Sequence, residues 1–119
     1  LDGNFTIDAG YRCGQKLLTM TDRPTAIFAS NDETALGVIK AAQEMDLEIP
    51  DDISLVGFDN SPESAYYLPA GLTTVDQSVR QMGLAATEML IKLINGEGVD
   101  ETIYKVPTQL VVRGSCRVI

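Results

Sequence analysis

The chain has 119 residues, 45% of them hydrophobic, with a formal net charge of −8 and no histidine. That suffices for one packed domain, and the negative charge excludes this piece as the grip on a nucleic acid, because phosphate neutralisation needs a basic surface. No apolar run is long enough to span a membrane, and two distant cysteines, Cys13 and Cys116, without any histidine make no zinc site.

Ala9, Cys13, Leu17 and Met20 fall at helical spacing and predict a helix over Thr6–Met20. Cys13 then reads as a small core residue, and free cytoplasmic thiols are favoured over a Cys13–Cys116 disulfide. Thr21–Pro24 is a loop. Thr25–Ala29 is all apolar after its first residue, as in a strand buried on both faces of a parallel sheet. Asn31 is a good N-cap for the next helix, and Asp32 and Glu33 favour the positive end of its dipole. Ala35, Val38, Ile39, Ala42 and Met45 form the buried face of that helix.

Glu48–Asp52 reads as a turn and Ile53–Phe58 as a second buried strand. Ser61 and Pro62 open a short helix as cap and first helical residue. Leu72–Val75 is a third strand. Ser78 caps a long helix with the apolar stripe Val79, Met82, Ala86, Leu90 and Leu93, closed by Asn95-Gly96. Ile103–Val112 is extended, interrupted by Pro107. Alternating strands and helices imply right-handed crossovers, so the fold class is α/β around a parallel sheet.

Ligands bind outside the carboxyl ends of strands in such sheets. Two places qualify: Ser30-Asn31-Asp32 and Asp59-Asn60. A carboxylate accepts from two neighbouring hydroxyls, and an amide donates to one and accepts from another, which suits vicinal hydroxyls. Asn31 reads as a helix cap, a ligand contact, or both. Asp59 reads as a ligand contact, with a turn residue as the plainer alternative. Phe5, in a loop, either stacks on a flat ligand face or seals the core. Gln77 reaches a ligand or caps the next helix. Of the adjacent Tyr66 and Tyr67, one is expected to be exposed. Asp51-Asp52 precedes a strand, lies at the opposite end of the sheet, and reads as a solvated turn.

Catalysis finds few candidates. There is no histidine and no cysteine paired with a base. A receiver-type site would need its acidic pair at the other sheet end, and a two-aspartate phosphatase would need Asp where Ser61 stands. The expectation is that the chain is not an enzyme and needs no cofactor or metal.

The motifs together resemble a known family. Arg23-Pro24-Thr25-Ala26-Ile27-Phe28-Ala29-Ser30-Asn31-Asp32 with Ala35-Leu36-Gly37 is similar to the effector domain of lactose-repressor/galactose-repressor (LacI/GalR) regulators. So are Ile49–Asn60, Leu72–Val75 and Leu110-Val111-Val112-Arg113-Gly114-Ser115. The resemblance implies a three-layer parallel-sheet sandwich, the C-terminal part of a periplasmic-binding-protein-like type I fold. It divides the chain into residues 1–76 in the C-terminal subdomain, 77–107 as a helix and strand of the N-terminal subdomain, and 108–119 returning to the first. The start at Leu1 suggests a fragment, and the resemblance implies that it lacks a DNA-binding headpiece.

By position, Asp59, Asn31, Phe5 and Gln77 would contact an effector: a sugar, sugar phosphate or nucleobase. Leu36, Lys40 and Tyr67 would lie in a homodimer interface, although Leu36 also borders the buried face of its helix. Operator DNA would be bound only through the headpiece, in the cytoplasm and away from membranes. A secreted sugar-binding protein of the same fold is the alternative. The uncovered fragment alone is expected to dimerise, by swapping the long helix or the terminal strand.

Overall fold

The computed structural model describes residues 1–2, 4–98 and 103–118. In chain order these form α1 (Ile7–Leu18), β1 (Ala26–Phe28), α2 (Asp32–Glu44), β2 (Ser54–Asp59), a 3₁₀ turn (Pro62–Tyr66), β3 (Thr73–Asp76), α3 (Val79–Ile94) and β4 (Gln109–Val111). The sheet order is β1-β2-β3-β4. β1, β2 and β3 run parallel, with Phe28 opposite Val56 and Asp59 opposite Asp76, whereas β4 pairs antiparallel to β3 with Gln109 opposite Asp76. The parallel α/β sheet is as expected, with one antiparallel edge strand added.

The core lies between the sheet and α2. Ile27, Leu55 and Leu72 meet Ala35, Val38, Ile39 and Ala42, with Leu18 of α1 joining them. α1 packs so closely on α2 that glycines are required at the crossing. A Cβ on Gly10 would lie 2.3 Å from the Thr34 carbonyl oxygen, and one on Gly37 only 2.2 Å from that of Ile7. Met20, expected on the buried stripe of α1, lies beyond the helix end and is exposed; Gly10, Gly14 and Leu18 are buried instead.

β1 is not buried on both faces. Ile27 points into the core while Ala26 and Phe28 are exposed, Phe28 by 65%. Its far face holds Phe28 edge-on to Phe58, with ring centroids 6.4 Å apart. An apolar strand sequence records a cover on both sides, and α2 supplies only one of them.

α3 departs from expectation in a similar way. Its helix is in the expected place, but none of its residues is buried, and Val79, Met82, Leu90 and Leu93 are all exposed. The chain is drawn out to 60 × 25 × 22 Å. No described helix is long and apolar enough to cross a membrane. Ser78 is not a side-chain cap: it sits at φ 55°, ψ 44° with no capping bond, and its hydroxyl donates to the Pro107 carbonyl at 3.4 Å. Ser61 likewise precedes its 3₁₀ turn without a side-chain cap.

The C-terminal segment is pinned by Ser115, which is fully buried. Its hydroxyl accepts from the Thr73 N–H at 2.8 Å and donates to the Leu55 carbonyl at 2.5 Å. Ser115→Ala leaves the Thr73 N–H without its partner, so unfolding in urea is expected to show a loss of about 1–3 kcal/mol. An unchanged midpoint would mean that water replaces the hydroxyl there. Both cysteines are free and half-buried; Cys13 donates to the Asp2 carbonyl at 3.3 Å.

Candidate functional site

Because β1, β2 and β3 are parallel, their carboxyl ends share one edge of the sheet. Asn31 follows β1, Asp59 ends β2, and Gln77 follows β3. The opposite edge carries Asp52, whose carboxylate accepts from the Glu48 N–H at 2.9 Å in the turn before β2. The acidic pair is a turn, as expected.

Asn31 caps α2. Its Oδ1 accepts from the Thr34 N–H at 2.9 Å, and its Nδ2 donates to the Phe5 carbonyl at 3.2 Å. The cap therefore also ties down the loop before α1. Phe5 has φ 54° and is 65% exposed, so it does not seal the core. Its ring is an open apolar surface beside Asn31.

Asp59 stands at φ 113° and Asn60 at φ 53°. Positive φ is costly for residues with a Cβ, so the turn must be held by its neighbours. Gln77 Nε2 donates to Asp59 Oδ1, so Gln77 orients the carboxylate and does not cap α3. Asp59 Oδ2 has no hydrogen bond among the described residues and can receive ligand hydroxyls or N–H groups.

Asp32, expected as a favourable charge at a helix start within the strand-end segment Ser30-Asn31-Asp32, turns out to be structural. It is 1% exposed and fastens the strand ends together. One carboxylate oxygen accepts from Thr74 Oγ1 at 2.6 Å and the other from the Ser61 N–H at 2.8 Å. Gly57 makes room for it, since a Cβ there would lie 2.3 Å from Asp32 Oδ1. The structure thus forms two pairs, Phe5 with Asn31 and Asp59 with Gln77. Asp32, next to Asn31, bonds to Ser61, two residues past Asp59, and so joins the two halves. The buried threonines of β3, Thr73 and Thr74, are the local signal that a polar partner lies near.

The site is an open shelf. A hollow of about 330 Å³ lies elsewhere, lined by Ile39, Leu47, Ile49, Leu68 and others near the end of α2. Among the described residues no group of three histidine, cysteine or carboxylate side chains could hold a metal ion.

Three further residues are expected at a subunit interface. Leu36 is half-buried, Lys40 is exposed and Tyr67 packs partly on the core, leaving Tyr66 86% exposed. The Lys40 ammonium lies 5.2 Å from the Tyr11 ring centroid. The Tyr11 hydroxyl donates to Glu44, which holds its ionisation above the ordinary tyrosine range.

Residues 2–116 match the periplasmic binding protein-like domain family. The HTH-type transcriptional repressor PurR of Histophilus somni is 39% identical over 117 residues, covering 98% of this chain and 35% of that protein. Catabolite control protein A of Priestia megaterium gives the same identity and coverage, 39%, 98% and 35%. The chain therefore spans about a third of the length of these curated relatives. A solved structure described as the Lac repressor dimer bound to operator and an anti-inducer superposes with TM-score 0.88 at 31% identity, covering 98% of this chain and 40% of that one.

Proposed function

Because the chain belongs to the periplasmic binding protein-like family, we propose that it is part of the effector-sensing and dimerising region of a bacterial transcription repressor of LacI type. The observation that carries this reading is Asp59: a carboxylate at the carboxyl end of a central parallel strand, oriented by Gln77 and open on its second oxygen. Phe5 and Asn31 extend the shelf with an aromatic face and a fixed amide. Together they suit a small polar ring compound: a sugar, sugar phosphate or nucleobase.

An open shelf binds weakly until a second wall closes on it. In this reading residues 1–76 and 108–119 form one wall, and residues 77–107 belong to the opposite subdomain. The exposed apolar faces of α3 and β1 are surfaces for those missing parts. A ligand that bridges both walls favours the closed arrangement by its differential affinity. Closure then alters the spacing of two DNA-binding headpieces in a homodimer, with Leu36, Lys40 and Tyr67 at the subunit contact. The acidic effector region stays off DNA, and the protein works in the cytoplasm without turning its ligand over.

A thermal-shift screen of the full-length protein against sugars, sugar phosphates and nucleobases tests this, with Asp59→Ala alongside. A true effector at about a hundred times its Kd stabilises the fold by about 2.7 kcal/mol, and Asp59→Ala should abolish that response. An equal response in the variant would remove Asp59 from the site.

A further inference from the structure

Beyond Asp59 and Gln77, the same edge of the sheet holds a chain of hydrogen bonds that neither ligand contact nor packing requires. Asn60 is its centre. Its Oδ1 accepts from Arg113 Nη2 at 2.8 Å, and its Nδ2 donates to Asp76 Oδ2 at 3.2 Å. The other oxygen of Asp76 accepts from the Ser78 N–H at 2.6 Å. Arg113 is itself fixed, since Nη1 donates to the Leu72 carbonyl at 2.7 Å and to Ser64 Oγ at 3.2 Å. The chain thus runs from the returning C-terminal segment, through the residue next to Asp59, to the residue at which α3 begins.

The chain links two stretches of strained backbone. Asp59 and Asn60 on one side and Ser78 on the other hold positive φ, and non-glycine residues remain there only when surrounding groups over-determine them. Asp76 touches both sides at once. A residue that only stabilised the strand end would need one of these bonds, not both.

We propose that Asn60 and Asp76, anchored by Arg113, are positioning residues that lock the turn bearing Asp59 to the start of α3. A pull on the Asp59 carboxylate then reaches the direction in which α3 leaves the sheet. This consequence rests on the reading of Asp59 as the effector contact. The hydrogen-bond lock itself is testable without any ligand.

The test uses the direction of the hydrogen bonds. Asn60→Asp sets a carboxylate against Asp76. Asp76→Asn replaces one of two acceptors by a donor that faces another donor, either Ser78 N–H or the Asn60 amide. Together the two changes restore the pattern in reverse: the carboxylate at position 60 accepts from Arg113 and from the new amide at 76, whose oxygen still serves Ser78. The readout is NMR of the full-length protein, following hydrogen exchange at the Ser78 N–H and the Gln77 side-chain amide resonance, which reports the Asp59 carboxylate.

Each single change should speed Ser78 exchange about tenfold or more, as expected for loss of a charge-assisted bond, and should move the Gln77 signal. The double variant should return both, with exchange within about threefold of the original. Exchange at Leu55, in the core, should stay unchanged in all variants. If Asn60→Asp alone fails to fold and the double variant folds, the rescue is shown equally well. Silent single variants, effects that merely add in the double variant, or a double variant that stays unfolded would overturn the proposal. None of these outcomes depends on which compound binds, so failure of the ligand screen and failure of the lock are separate results.

Discussion

Gly37→Ala should lower stability by about 2 kcal/mol or more, while the same change at Gly83 should raise it by up to about 1 kcal/mol. Alanine is the better helix former, so at an open helical position it stabilises. Gly83 is such a position, with nothing within 4 Å of a built Cβ. At Gly37 the new methyl would sit 2.2 Å from the Ile7 carbonyl oxygen and 2.5 Å from the Tyr11 nitrogen. Both are backbone atoms of α1, and no rotamer change can move them. The helices must separate, which opens the cluster around Val38, Ala41 and Ala42. Overpacking of this kind costs about 1–3 kcal/mol and sometimes more, which exceeds the gain in propensity. Urea midpoints of the two variants should move in opposite directions; a shared direction would mean that the close crossing of α1 and α2 is not real.

Asp32→Ala should be comparably severe and should also damage the site. Removing the carboxylate leaves the buried Thr74 hydroxyl without its acceptor and the part-buried Ser61 N–H without its partner. Each unsatisfied buried group costs about 1–3 kcal/mol, and relief of the buried charge offsets part of the sum. A net loss of about 2–4 kcal/mol is expected. Asp32→Asn should cost less, because one acceptor survives. The functional effect follows from geometry: the Ser61 bond is what holds the turn after Asp59 against α2. Any ligand that stabilises the parent protein should therefore lose most of its thermal shift in Asp32→Ala even where the variant remains folded, whereas Asp32→Asn, whose amide oxygen can still accept from the Ser61 N–H, should keep more of it. Retention of the full shift in Asp32→Ala would show that the turn needs no such anchor.

The contrast between Asn31 and Asp32 explains what could be read in advance. Asn31 was legible as a cap because capping is local: three residues separate Oδ1 from the N–H that it accepts. Asp32, its neighbour, takes its donors from residues 61 and 74. No window along the chain contains that fact. The same holds for Arg113, whose partners lie 40 or more residues earlier. Helix and strand positions were legible because periodicity and caps are local as well. Burial was not: the apolar stripe of α3 and the outer face of β1 record neighbours that this stretch of chain does not supply. Ser78 differs for a related reason, since serine before a helix suggests a cap, whereas here its backbone is left-handed, its N–H is held by the Asp76 carboxylate and its hydroxyl turns to Pro107.

The pairing of β3 with β4 has one more consequence. Asp76 lies opposite Gln109, and the Ser78 hydroxyl reaches Pro107, so the chain leaves the sheet and comes back at a single neck two strands wide. α3 is an excursion hung from these adjacent threads. Such a neck can twist and bend without breaking the ladder beside it, much as a strap of two cords swivels where a broad band would resist. It also makes the excursion removable in principle: a tight two-residue turn joining Asp76 to Gln109 would convert the neck into an ordinary hairpin.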